Sequence, residues 1–258
     1  MSDAELNAIV VQRIEVAPGL IVLRVAPDGW RYPVFEPGQF AVLWLPGPEE
    51  EGAKPVKRAY SIASAPTDDA VELYVALVPD GRLTPRLFAL GIGDRVGLGV
   101  KPSGKFTLEG IPDRRRIVLV STGTGLAPYM SMLRSDRLGG PGRRYLVLHG
   151  VRQSCDLGYR AELQAMARFS PAIDYLPIVS RPAGEPVPWP GLTGHVQAAW
   201  TGGAIALALG TPPSPDDTSI FLCGNPAMIE SMVELLATEG YREHKKTAPG
   251  QVHVERYW

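Results

Sequence analysis

Cysteine is scarce: Cys155 and Cys223 are the only two in 258 residues. Two thiols cannot hold a four-thiolate iron–sulfur cluster or a four-cysteine zinc site, and they are too few for a disulfide scaffold. No charge of one sign dominates. With 26 basic and 27 acidic side chains the net charge is -1, which argues against a dedicated nucleic-acid binder. Long hydrophobic runs are missing as well. The most apolar late stretch, residues 203–210, falls far short of the roughly 20 residues a bilayer span takes, so no membrane segment is expected. The start, Met1-Ser2-Asp3-Ala4-Glu5, is acidic where a secretory signal needs a basic start and an apolar run, which predicts a cytoplasmic protein. What is present is ordinary for a folded globular chain: 45% hydrophobic and 21% charged residues, enough to bury a sizeable core. At about 150 residues per domain the length predicts two domains.

The two halves have different rhythms. Up to about residue 110, short apolar runs such as Ile9-Val10-Val11, Leu20-Ile21-Val22-Leu23, Phe40-Ala41-Val42-Leu43-Trp44, Val71-Glu72-Leu73-Tyr74-Val75 and Arg95-Val96-Gly97-Leu98 are broken by Gly, Pro and Asp. Evenly spaced short strands with turn signals predict an all-β sandwich or barrel. From Arg116 onward strands and helices alternate. Strands are expected at residues 117–120, 145–149, 175–179, 220–222 and 251–255, and helices at 126–134, 159–168, near 196–200 and at 227–239. That alternation predicts a doubly wound, parallel, five-stranded α/β sheet. Asn225 as N-cap, Pro226 at the first helical position and Ile229, Met232, Val233 and Leu236 at helical spacing make the last helix the best defined. The charged segment Asp113-Arg114-Arg115-Arg116 reads as a solvated linker between domains 1–112 and 113–258.

Ser121-Thr122-Gly123-Thr124-Gly125-Leu126-Ala127-Pro128 leaves the first parallel strand and opens a helix. Glycines permit a tight turn and close backbone approach, and a helix N-terminus favours pyrophosphate, so the segment reads as a nucleotide loop or, failing that, a plain turn. Dinucleotide folds that prefer NAD place a carboxylate at the end of the second strand. Here that strand ends His149-Gly150-Val151-Arg152 and the next ends Val179-Ser180-Arg181. Two guanidiniums there suit a 2′-phosphate and favour NADP, unless Arg152 and Arg181 are ordinary exposed arginines.

In the first half, Arg58-Ala59-Tyr60-Ser61-Ile62-Ala63-Ser64 puts Arg58, Tyr60 and Ile62 on one face of an extended segment. Arginine can hold phosphate and a tyrosine ring can stack on a planar heterocycle, but the segment reads equally as an edge strand. Gly81-Arg82-Leu83-Thr84 offers backbone N–H groups and a hydroxyl at the start of a short helix.

Taken in order, Arg58-Ala59-Tyr60-Ser61, Pro79-Asp80-Gly81-Arg82-Leu83-Thr84, Thr122-Gly123-Thr124-Gly125-Leu126-Ala127-Pro128, Cys223-Gly224-Asn225-Pro226-Ala227-Met228 and Glu255-Arg256-Tyr257-Trp258 resemble the bacterial ferredoxin (flavodoxin)–NADP(H) reductases. The resemblance runs from about residue 10 to the end and implies FAD on an antiparallel β-barrel, NADP(H) on the α/β domain, and the nicotinamide meeting the flavin between them. It implies that Arg58, Ala59 and the Arg82-Leu83-Thr84 segment hold FAD, that Tyr60 stacks on the flavin, and that the Ser61 hydroxyl lies near flavin N5. Tyr74 matches a further FAD contact, although an aromatic in a strand also reads as core. Tyr257 would cover the second flavin face and Trp258 the adenine. Gly123, Thr124 and Gly125 would meet the dinucleotide, Thr124 also the flavin, with Arg152, Ser180, Arg181, Gly224 and Asn225 completing the NADP site. Cys223 would sit against the nicotinamide, and Glu255 would assist proton movement. Where NADP-specific relatives carry a third arginine after Thr193-Gly194, this chain has His195 as the matching NADP residue, so either NADPH preference is weaker or His195 protonates when the phosphate binds.

The implied activity is hydride exchange between NADPH and FAD with single-electron exchange to a ferredoxin or flavodoxin. Lys54, Lys57, Arg82 and Arg86 are candidates for guiding such an acidic partner. The paucity of cysteine then means that any iron–sulfur centre belongs to a separate protein, and a monomer is expected. The alternatives on the same scaffold are an oxygenase reductase component or a flavin reductase. From a different class, the alternative is a nucleotide-binding or electron-transfer subunit without turnover.

Overall fold

In a computed structural model, described for residues 6–47, 54–112, 115–135 and 143–256, six short strands come first: β1 (Ala8–Ala17), β2 (Leu20–Pro27), β3 (Phe40–Leu45), β4 (Val56–Ser61), β5 (Val71–Ala76) and β6 (Arg95–Leu98). They pair antiparallel in the order β4-β3-β6-β1-β2-β5. An antiparallel bridge between Ile62 and Leu73 joins the two edges and closes the sheet as a barrel. Closure removes the exposed edges that an open sheet would leave unpaired. Inward residues such as Val10, Ile21, Leu23, Leu43, Leu73, Val75 and Leu98 form its core, capped by Leu83 and by Leu87 of α1 (Thr84–Phe88).

The second half is a parallel sheet of β7 (Arg116–Thr122), β8 (Tyr145–Val151), β9 (Ile173–Val179), β10 (Leu192–Thr193), β11 (Thr218–Cys223) and β12 (Val252–Glu255), in the order β10-β9-β8-β7-β11-β12. The five expected strands are all there. The sixth, β10, escaped sequence reading because two residues at a sheet edge carry no pattern. α2 (Ala127–Leu133) and α3 (Arg160–Phe169) follow β7 and β8 along the chain. α4 (Val196–Thr201), α5 (Ala204–Leu209) and α6 (Pro226–Thr238) cover one face, packing Val196, Trp200, Ile205, Ile229, Met232 and Leu236 on Val118, Val120, Leu146, Leu148 and Leu222. The Asn225 side chain caps α6 by accepting from Ala227 N and Met228 N.

By internal contacts the chain divides into Met1–Leu108 with Ala127–Arg137, and Glu109–Leu126 with Leu138–Trp258. The charged segment falls inside the second unit and corrects the reading of a solvated linker. Asp113 and Arg114 lie outside the described residues, but Arg115 donates to Ser219 Oγ and to the carbonyls of Pro215, Asp216 and Thr218. Arg116 bonds Thr211, Pro212 and the Asp217 carboxylate. Guanidinium forks satisfy several carbonyls at once, so these two arginines staple the start of β11 to β7. No helix among the described residues is long and apolar enough to cross a membrane.

Candidate active site

On β4 the strand period sets Arg58 and Tyr60 beside Leu43 and Ala41 of β3 in the cross-strand register. Arg58 and Ala59 are exposed, Tyr60 is half-buried against the barrel core, and Ser61 is buried. Burial pushes the Tyr60 phenol up to about 12, against the opposing pull of the Arg58 guanidinium, so the ring is a neutral, apolar platform with a polar tip. Arg58 Nη1 donates to the Lys57 carbonyl. Among the described residues it has no acidic partner, which suits an anion. Tyr74, only 3% exposed, lies on β5 one residue out of phase with the core side chains Leu73 and Val75.

Sequence reading missed what holds the end of β4 in place. Glu72 accepts from Arg134 Nη1 at 2.6 Å, and the same guanidinium donates to the Ala63 carbonyl at 2.8 Å. The backbones of Ala63 and Glu72 bond directly at 2.8 Å, and Ser64 Oγ accepts from Glu72 N. A buried carboxylate needs a partner. An acidic residue inside an otherwise apolar strand run was the available signal, but its partner is 62 residues away.

In the Arg82-Leu83-Thr84 segment the side chains divide. Leu83 is a core side chain, and the Thr84 hydroxyl accepts from Val78 N and donates to Val78 O, so it closes its own turn. Arg82 remains exposed. Lys57, a candidate for guiding a partner, sets its ammonium over the Trp44 ring.

In the α/β unit the candidates come together along one edge. All strands of the sheet are parallel, so their C-terminal ends line up. Reading across from β10 to β12, that edge carries His195, Arg181, Arg152, the Gly123–Leu126 turn, Cys223-Gly224-Asn225 and Glu255. The chain runs one way from β7 to β10 and the other way to β12, and the reversal between β7 and β11 is where open α/β sheets bind ligands.

Close backbone approach explains the glycines there. A Cβ on Gly125 would lie 2.3 Å from the Cys223 carbonyl oxygen, and one on Gly224, which has φ +136, would lie 2.3 Å from Thr122 Oγ1. Asn225 N donates to Thr122 Oγ1 at 2.8 Å, locking the two loops together. Cys223 Sγ is 3.9 Å from Glu255 Oε2, and both side chains are buried. Burial first, then the Glu255 carboxylate, pushes the thiol well above its ordinary range. Cys223 is therefore a neutral, small, polarizable surface and no thiolate nucleophile.

Arg152 and Arg181 are exposed and adjacent: Arg181 N donates to Arg152 O at 2.9 Å. Among the described residues neither guanidinium has a bonding partner. Ser180 bonds Val151 O through both N and Oγ. His195, exposed, takes the N-cap position of α4 with no side-chain cap bond. Tyr257 and Trp258 lie outside the described residues.

Residues 119–234 match the family described as the oxidoreductase NAD-binding domain. Over 228 residues the chain is 33% identical to the flavodoxin/ferredoxin–NADP reductase of Shigella flexneri, spanning 87% of this chain and 88% of that one. The chain belongs to the flavodoxin/ferredoxin–NADP reductases. The reductase of Escherichia coli (strain K12) is 32% identical over the same span. A ferredoxin NADP+ reductase from Neisseria gonorrhoeae, solved with bound FAD and NADP, superposes with a TM-score of 0.85 at 25% identity over 98% of each chain. For this reductase the motif order in the sequence and the strand order in the fold thus agree on the family.

Proposed function

We propose that the protein is an FAD-dependent oxidoreductase that exchanges a hydride with NADPH and single electrons with a ferredoxin or flavodoxin, acting as a cytoplasmic monomer. One observation carries the cofactor preference: two exposed guanidiniums, bonded backbone to backbone and without partners, stand on the sheet edge beside a glycine loop. Like charges are held together at a cost unless an anion joins them, and a 2′-phosphate fits that chemistry.

In this reading the Gly123–Leu126 turn presents backbone N–H groups to the pyrophosphate of NADPH, and Arg152 and Arg181 take the 2′-phosphate. Cys223, neutral at Sγ, lets the nicotinamide approach closely, and Glu255 Oε2 holds the thiol proton. On the barrel Arg58 would hold the FAD pyrophosphate, Tyr60 would offer its ring face to the flavin, and the Ser61 hydroxyl would serve as a donor to it. Bound FAD supplies the exchange between two-electron and one-electron chemistry.

The purified protein should be yellow and bleach anaerobically on NADPH. A colourless protein that FAD cannot reconstitute overturns the reading. Arg181→Ala should raise KM for NADPH by about tenfold while leaving KM for NADH within about twofold, because it removes phosphate contact alone.

A further inference from the structure

The loops that carry Arg152 and Arg181 are tied by a device that neither strand pairing nor hydride transfer requires. After Arg181 the chain makes a 3-10 turn, Pro182–Gly184, that ends on Glu185. The Glu185 carboxylate then reaches across to the other loop and accepts twice from Ser154, from the backbone N at Oε1 and from Oγ at Oε2, both at 2.5 Å. Gln153 Nε2 donates to Gly184 O at 2.9 Å, which adds a second tie beside the first.

The same loops also carry Asp156, whose carboxylate accepts from Gln153 N at 3.1 Å. Two carboxylates and two guanidiniums thus share the loop segments 152–156 and 181–185, and salt bridges between them would be the default outcome of Coulomb attraction. None forms: Glu185 and Asp156 take N–H and O–H donors of the loops, while neither guanidinium has a partner among the described residues.

We propose that Glu185 is a positioning and specificity-determining residue for the 2′-phosphate. It binds the two arginine-bearing loops into one unit through Ser154, and that engagement keeps its carboxylate out of salt bridges with the arginines. The inference rests on the NADPH reading above. Preorganising two guanidiniums lowers the ordering cost that an anion would otherwise meet on binding.

The test is calorimetric titration of the flavin-loaded protein with 2′-phospho-AMP, with AMP as the ligand lacking the phosphate. Glu185→Ala should weaken 2′-phospho-AMP by about tenfold and leave AMP within about twofold, because only the phosphate contacts lose their support. Ser154→Ala, which removes the Oγ donor and alters no charge, should weaken 2′-phospho-AMP by about threefold, as expected for one neutral donor lost from a charge-assisted pair. If Glu185 were simply a nearby negative charge, removing it would tighten 2′-phospho-AMP and Ser154→Ala would change nothing, and that pair of results overturns the proposal. Should Glu185→Ala fail to fold, Ser154→Ala decides alone. Arg181→Ala separates the two levels. If Arg181→Ala weakens 2′-phospho-AMP while the Glu185 and Ser154 variants do not, the clamp is wrong and the NADPH site stands. If Arg181→Ala has no effect either, the NADPH reading itself fails.

Discussion

In the barrel unit the candidate residues Arg58, Ala59, Tyr60 and Ser61 follow one another along a single strand, whereas in the α/β unit they come from the ends of six. The first arrangement depends on cross-strand register and on the buried Glu72–Arg134 pair beside Ala63. The second depends on strand order and on loops close enough to exclude any side chain at Gly125 and Gly224. The units differ in titration as well. All four histidines, His149, His195, His244 and His253, fall in the α/β unit and none in the barrel. A strand-borne site is thus rigid through packing and carries no histidine. An edge-borne site assembled from loops is exposed to both steric and acid perturbation.

The largest expected effect tests the barrel half. Glu72→Ala removes one partner of a largely buried ion pair and should cost about 3–5 kcal/mol, read as a fall in thermal midpoint together with faster flavin release. A variant that keeps its midpoint would show that register alone holds the strand end. Next comes acid. Burial holds the His149 imidazole down at about 4, with its Nε2 lacking a partner among the described residues; burial and the His244 and Arg115 charges hold His253 at about 4 too. A depressed folded-state pKa means that the unfolded chain binds more protons between about pH 6.5 and 4. Stability is therefore full above about pH 6.5 and lost as pH falls toward 4, by about 3 kcal/mol for the fully buried His149. Denaturant unfolding at stepped pH should show this loss in the α/β unit, and His149→Leu should flatten it; equal acid sensitivity of the barrel would erase the contrast. The smallest effect is steric. Gly125→Ala should cost about 1–3 kcal/mol as overpacking, weakening NADPH binding in titrations while flavin content stays at the wild-type level.

Much of this was legible in the chain. Alternation along Arg58-Ala59-Tyr60-Ser61 placed a strand that the fold contains, because period two is a local property. Asn225 and Pro226 marked the start of α6, because capping is settled within one turn. β10 was invisible because two residues hold no period. Arg115 and Arg116 were misread as solvated, since a charge run in sequence does not say which carbonyls it will meet. Glu72 and Glu185 were missed for the same reason, their partners Arg134 and Ser154 lying 62 and 31 residues away.

The sequence by itself determined the two halves, most of their strands and helices, the family, and the residue types available to bind phosphate and a planar ring. Those follow from periodicity, turn chemistry and motif order, which act over a few residues. Only the tertiary structure decided that Thr84 turns its hydroxyl to Val78, that Cys223 stays a neutral thiol beside Glu255, and that Arg152 and Arg181 stand together while Glu185 is held by Ser154. Each of those outcomes is a choice among competing partners, and which partner is within reach of a hydrogen bond is fixed when the strands are laid side by side.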